Sequence, residues 1–184
     1  MAEIKKTTLF SDTYFFKGEH ARKARELSNE IDKSSGISIF RSAVELYIAA
    51  TVVGLHYNRR EQFVPSEDQP FRIDVGQFIG QHFKDLDFIY KLVMLTYPNE
   101  ALTPEQRINN AFRYSKDECE ENTINMKVFE EYMLGGVSIL YDHFINDNNQ
   151  RYSEYLNSLN SLISGFYSEN DEEDEDIDFD TPEF

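Results

Sequence analysis

Ile39-Phe40-Arg41-Ser42-Ala43-Val44-Glu45-Leu46-Tyr47-Ile48-Ala49-Ala50-Thr51-Val52-Val53 is apolar on nearly every side of a helical wheel. A helix with no polar face has to be enclosed by other elements, so residues 39–53 are expected to form the central helix of a core. Ser38 is the expected N-cap, and Gly54 is expected to end the helix through a left-handed residue after the last turn. On the N-terminal side, Ala21, Ala24, Leu27 and Ile31 recur at three- and four-residue spacing, which predicts an amphipathic helix over residues 20–31. Its other face carries Arg22, Lys23, Arg25 and Glu26, and Lys33-Ser34-Ser35-Gly36 breaks it.

On the C-terminal side, residues 55–73 contain Pro65 and Pro70 and show no helical period, which predicts a long surface loop. Short helices follow over 74–83 and 85–97. Thr103-Pro104-Glu105-Gln106 joins a Thr N-cap, Pro at the first helical position and Gln three residues on, a capping box that fixes a helix start. A longer helical pattern runs from Met126 through Phe129, Met133, Val137, Leu140 and Tyr141 to Phe144, interrupted by Gly135-Gly136. Two interior glycines cost roughly 1 kcal/mol each relative to alanine, so they predict a kink, a break or a close helix crossing. Tyr152, Tyr155, Leu156, Leu159, Leu162, Ile163 and Phe166 make a last amphipathic helix. The expected fold is all-α: a single compact domain of six or seven helices over residues 1–168, with a disordered acidic tail over 169–184.

Charge separates those two parts. The 184 residues hold 34 Asp and Glu against 18 Lys and Arg, a net charge of −16. Residues 1–64 are at +2, residues 65–168 at −8, and residues 169–184 at −10 with no Lys or Arg. A stretch such as Glu169-Asn170-Asp171-Glu172-Glu173-Asp174-Glu175-Asp176 buries too little apolar surface to offset the entropy of ordering it. The balance excludes a uniformly basic nucleic-acid binder. No apolar run reaches the ~18 residues of a membrane span, and the first ten residues contain no signal-peptide core, so a cytoplasmic location is expected. Cys119 is the only cysteine, which excludes an intrachain disulfide and a thiolate zinc site.

Catalytic, cofactor-binding and metal-ligating residues are not expected. His20, His56, His82 and His143 have no helical metal spacing and are read as surface histidines. Cys119 lies among Asp117, Glu118, Glu120 and Glu121, which disfavour a thiolate. Glu130 and Glu131 point about 100° apart on a helix, so they do not converge on one atom; they read as a solvated face beside the packing break. The best candidate for anion or nucleic-acid contact is Arg41, His56, Arg59 and Arg60, because arginine forks hold phosphate or carboxylate at two points. The competing reading is that the two loop arginines, Arg59 and Arg60, are solvated or pair with nearby acids such as Glu61.

Two stretches carry a resemblance. Phe40-Arg41-Ser42-Ala43-Val44-Glu45-Leu46-Tyr47-Ile48-Ala49-Ala50 through Gly54 to Arg60, with Phe129-Glu130-Glu131-Tyr132-Met133-Leu134-Gly135-Gly136-Val137-Ser138-Ile139-Leu140-Tyr141, resembles the small DNA phosphorothioation-associated proteins of bacterial defence loci. The resemblance spans most of residues 30–145 by pattern more than by identity. It implies an accessory role beside DNA sulfur modification or restriction, and the leading expectation is a non-enzymatic interaction module whose helical body docks onto a larger DNA-processing or defence protein. Asp176-Ile177-Asp178-Phe179-Asp180-Thr181-Pro182-Glu183-Phe184 is similar to the acidic tip of bacterial single-stranded-DNA-binding proteins, although Glu183 separates the proline from the terminal phenylalanine. That likeness implies partner contact through Asp176, Asp178, Phe179, Asp180 and Phe184, the alternative being a tail that serves only solvation. The alternative is a DNA-binding helical module that uses the basic N-terminal third and is autoinhibited by the tail.

Overall fold

The computed structural model describes residues 9–32, 37–116, 119–146 and 152–168. The expected disordered tail, with its five candidate partner contacts, lies outside the described residues, as does the 33–36 break. In chain order the elements are β1 (Tyr14–Phe16), α1 (Gly18–Leu27), β2 (Glu30–Asp32), β3 (Ile37–Ser38), α2 (Ala43–His56), β4 (Phe71–Ile73), α3 (Val75–Ile79), α4 (Phe83–Thr96), α5 (Pro104–Ile108), α6 (Glu120–Tyr141) and α7 (Tyr152–Ser168). The fold is all-α. Two short antiparallel pairs accompany the helices: β1 with β4 in the register Tyr14↔Ile73 and Phe16↔Phe71, and β2 with β3.

The core is built on α2 against α6. Leu46, Tyr47, Ala50 and Thr51 of α2 and Phe129, Tyr132, Met133 and Val137 of α6 are almost fully buried. Tyr47 is the aromatic hub, with ring centroids 5.1 Å from Tyr14, 5.3 Å from Phe78 and 5.9 Å from Phe129. The Gly135-Gly136 pair produces a close crossing and no break, since α6 runs through it unbroken. A Cβ on Gly136 would stand 1.7 Å from the Ala50 carbonyl oxygen, and one on Gly54 would stand 1.9 Å from that of Tyr132. Both helices therefore need glycine where their backbones touch.

Several boundaries differ from expectation for local reasons. Gly54 lies inside α2 and serves the crossing; the helix ends two residues later. Asn58 takes the left-handed conformation with φ 46°. Arg59 N–H donates to Gly54 O at 2.9 Å and Asn58 N–H to Leu55 O at 3.0 Å, the paired bonds of a Schellman end with Asn in the place of Gly. Ser42, not Ser38, caps the start of α2, accepting from Glu45 N–H at 3.3 Å, because Ser38 is taken up in β3. The Thr103 capping box forms as expected, but α5 is one and a half turns long before it widens into a π-helical segment, Asn109–Arg113. Residues 57–70 are irregular and pinned, with Glu61 N–H donating to Glu131 O at 2.9 Å and Glu19 N–H to Val64 O at 3.2 Å.

Candidate functional site

The four residues expected to contact anions do not form one site. Arg41 precedes α2 and Arg59 and Arg60 follow it, and a 14-residue helix separates its ends by about 20 Å. Arg41 is exposed at the helix start, where its backbone N–H donates to Glu45. His56 packs into an α2–α7 contact, its ring stacked 4.0 Å from that of Phe166. Arg59 Nε donates to Glu61 Oε1 at 2.8 Å, and its guanidinium lies 3.8 Å from Asp142. Arg60 donates through Nε at 3.0 Å and through Nη2 to Glu131, and it lies over the Tyr132 ring at 5.5 Å. Both arginines are engaged by carboxylates of this chain, as the competing reading held.

Two cations of α1 are engaged as well. Lys23 Nζ donates to Ser138 Oγ at 3.0 Å and pairs with Glu19 at 3.1 Å. Arg22 donates to the Tyr141 hydroxyl at 2.8 Å, and that hydroxyl donates to Glu26 at 2.8 Å. At the centre of this network, Glu61 Oε2 accepts from Ser138 Oγ at 2.6 Å and meets His20 Nε2 at 2.9 Å. Burial alone would raise the Glu61 pKa, but hydrogen bonds from Ser138, His20 and Arg59 hold it below its ordinary value. His20 is 1% exposed, so it is a core residue and not a surface histidine. Ser138 is fully buried between Lys23 and Glu61. The network joins α1, the segment after α2 and α6, and its chemistry is structural.

The solvated face expected at Glu130 and Glu131 is also corrected. Glu131 is 8% exposed and held by Arg60. Glu130, turned about 100° from it, enters a cleft between α6 and the N-terminal segment. It lines three hollows with shared walls, of about 330, 490 and 360 Å³. Phe10, Tyr14, Tyr47 and Phe78 line the first, Tyr14, Phe15 and Phe63 the second, and Phe63 and Leu134 the third. Lys17 and Lys127 stand exposed at the rim. Phe63 is held in the wall because Gly18, at φ 56°, lets the Val64 carbonyl approach; a Cβ there would lie 1.9 Å from that oxygen.

Burial raises the Glu130 pKa to about 7, and attraction to Lys17 is too weak to offset it. Burial first, and the Glu130 charge second, push the Tyr14 and Tyr47 phenols well above their usual range. An aromatic cleft that a desolvated carboxyl lines together with two tyrosines is the arrangement expected of a ligand site. The sequence reading missed it. The available signal was Met126 and Leu134 four residues either side of Glu130, which place a carboxylate in an apolar stripe. Tyr14 and Tyr47 arrive from β1 and α2, too far apart in sequence to be associated with it.

Among the described residues, no group of three or more His, Cys, Asp or Glu could hold a metal ion, and no helix is long and apolar enough to cross a membrane. In comparison with known proteins, residues 19–181 match the family model described as DNA sulphur modification system-associated protein 4. No curated protein and no solved structure matches the chain.

Proposed function

Because the chain belongs to the family of DNA sulphur modification system-associated protein 4, matched over residues 19–181, we propose that it is a non-enzymatic, cytoplasmic accessory protein that engages a larger protein of that system through its helical body and acidic tail. The observation that carries this reading is the engagement of five cations of the basic N-terminal third, with Arg41 left exposed. Arg22, Lys23, Arg25, Arg59 and Arg60 each meet an acceptor of this chain, so a phosphate would have to displace an existing partner. Phosphate neutralisation is what supplies non-specific DNA affinity. The same geometry argues against a DNA-binding body that the tail inhibits.

Apolar surface supports a protein partner instead. On α7, Leu162 is buried while Leu156, Leu159 and Ile163 are 44%, 41% and 44% exposed. The four fall within one arc of about 120° on the helix, so part of a single apolar face is left uncovered and suited to a further packing partner. Residues 169–184, with ten acidic side chains and Phe184, supply attraction to a basic surface and an aromatic anchor.

The test is co-purification of the full chain, and of a chain ending at Ser168, with proteins of the DNA sulphur modification system at several salt concentrations. The full chain retains a partner, and shortening it removes the binding or its salt dependence. Unchanged affinity of the shortened chain overturns the role of the tail; no partner with either chain overturns the whole reading.

A further inference from the structure

Every cation named in the network of α1, α6 and the segment after α2 is matched by an acceptor. Against that background Glu130 stands apart. No hydrogen bond or ion pair to its carboxyl occurs among the described residues, although aromatic walls remove much of its water. A desolvated carboxyl without a partner is costly, and such a cost is retained where a ligand supplies the missing partner.

The walls restrict the ligand. An anion would meet Glu130 at the centre of the cleft. A purely apolar group would strip the carboxyl of its remaining water and give nothing back. A cationic donor is attracted by the carboxylate and by the faces of surrounding rings, which is how aromatic cages hold organic cations. Side-chain oxygens of Glu130, Tyr14 and Tyr47 line the first hollow together with those of Asp12 and three hydroxyl residues, so it is rich in acceptors. A guanidinium offers five N–H donors in a planar fork and is more weakly hydrated than an ammonium, so it suits this cleft best.

We infer that the cleft around Glu130 receives one arginine side chain of a partner protein, its guanidinium held by the Glu130 carboxylate and the Tyr14 and Tyr47 oxygens between aromatic walls. The inference rests on the interaction reading above for the source of that arginine. The exposed Phe15, Phe63 and Val64, at 43%, 51% and 44%, lie along the same segments and offer the backbone around the arginine an apolar rim. Arginine anchors set in desolvated pockets are typical centres of protein interfaces. The other charged or titratable groups around Glu130 are Asp12, Tyr14 and Lys17 of the N-terminal segment, Tyr47 of α2, and Lys127 and Glu131 of α6. The two lysines are exposed at the rim, where salt screens them.

The test is titration of the full chain with the peptide acetyl-Gly-Arg-Gly-amide, followed by the NMR signals of Tyr14 and Tyr47. Saturable binding is expected at pH 8. Because Glu130 titrates at about 7, binding should weaken about thirtyfold at pH 5.5 and release a proton near neutrality. Replacing arginine by citrulline, which keeps the shape and removes the charge, should weaken it at least ~10-fold, as should Glu130→Gln. Equal binding of the citrulline peptide, equal binding by Glu130→Gln, or no saturable binding overturns the inference. A matched lysine peptide that binds as tightly overturns the choice of guanidinium. The co-purification above, repeated with Glu130→Gln, separates the two readings. A partner retained equally by both chains sinks the arginine receptor alone. Absence of any partner sinks the interaction reading, while the peptide titration still decides the cleft.

Discussion

Glu130 and Glu131 are adjacent on one helix, yet they belong to two different kinds of region. Glu131 faces the polar network that ties α1 and the segment after α2 to α6, and Arg60 answers it from 71 residues away. Glu130 faces the aromatic cleft, and nothing described in the chain answers it. The contrast separates charges that hold the fold from a charge the fold leaves open. Sequence neighbours of identical type take opposite roles because one residue of helical rotation selects a different set of long-range partners.

Both regions hang from the α2–α6 crossing, so the largest effect is expected there. Gly136→Ala puts a methyl 1.7 Å from a backbone oxygen that no rotamer change can move. The helices have to part, which disturbs the Glu131 pairing and the Tyr47 wall of the cleft together. The expected cost exceeds about 4 kcal/mol, enough to abolish cooperative thermal unfolding followed by circular dichroism. A variant that keeps its melting transition within a few degrees would show that the two regions do not depend on the crossing.

That crossing also marks how far the sequence could be read. The apolar run of 39–53 demands enclosure, and paired glycines inside an otherwise good helix imply that something compensates their cost; together these make the α2–α6 core legible. Gly54 was open to misreading because a glycine after an apolar run signals a helix end as readily as a contact. Only the position of Tyr132 decides between the two, and that is long-range information. Strands of two or three residues such as β1 and β4 carry no alternation to detect. The arginines were legible as residues of interest but not as engaged ones, since Arg60 meets its acid in another helix. The cleft was hidden for the same reason: Tyr14, Tyr47 and Glu130 come from β1, α2 and α6.

Breaking the satisfied region comes next in size. Arg60→Ala leaves Glu131, 8% exposed, without its partner. Orphaning a buried charge costs up to about 5 kcal/mol, and the 39% exposure of the Arg60 side chain reduces that to about 2–3 kcal/mol. Chemical denaturation at pH 7 measures it. The double change Arg60→Ala with Glu131→Gln should recover part of the loss, because the cost comes from the stranded charge more than from the absent pair. No recovery would mean that Arg60 acts through its contact with the Tyr132 ring.

The sharpest separation is by pH, with effects of opposite sign. The Glu61 pKa is held below its ordinary value of 4.5, so its contribution is present above that value and is lost as pH falls through the folded one. Glu61→Gln should therefore cost about 1–2 kcal/mol at pH 7 and progressively less in acid. The Glu130 pKa is raised from 4.5 to about 7, so the protonated carboxyl is the form the fold prefers, and stability is lost as pH rises through about 7. Glu130→Gln should consequently raise stability at pH 8, by about 1 kcal/mol once partial exposure is allowed for, and leave it unchanged at pH 4.5. Urea midpoints at the two pH values measure both variants. A stabilising substitution at a position that binds a ligand is the mark of a site whose charge is kept for function at the expense of stability. If Glu130→Gln destabilises the protein at pH 8 as Glu61→Gln does, the carboxyl has an internal partner and the contrast between the two neighbours disappears.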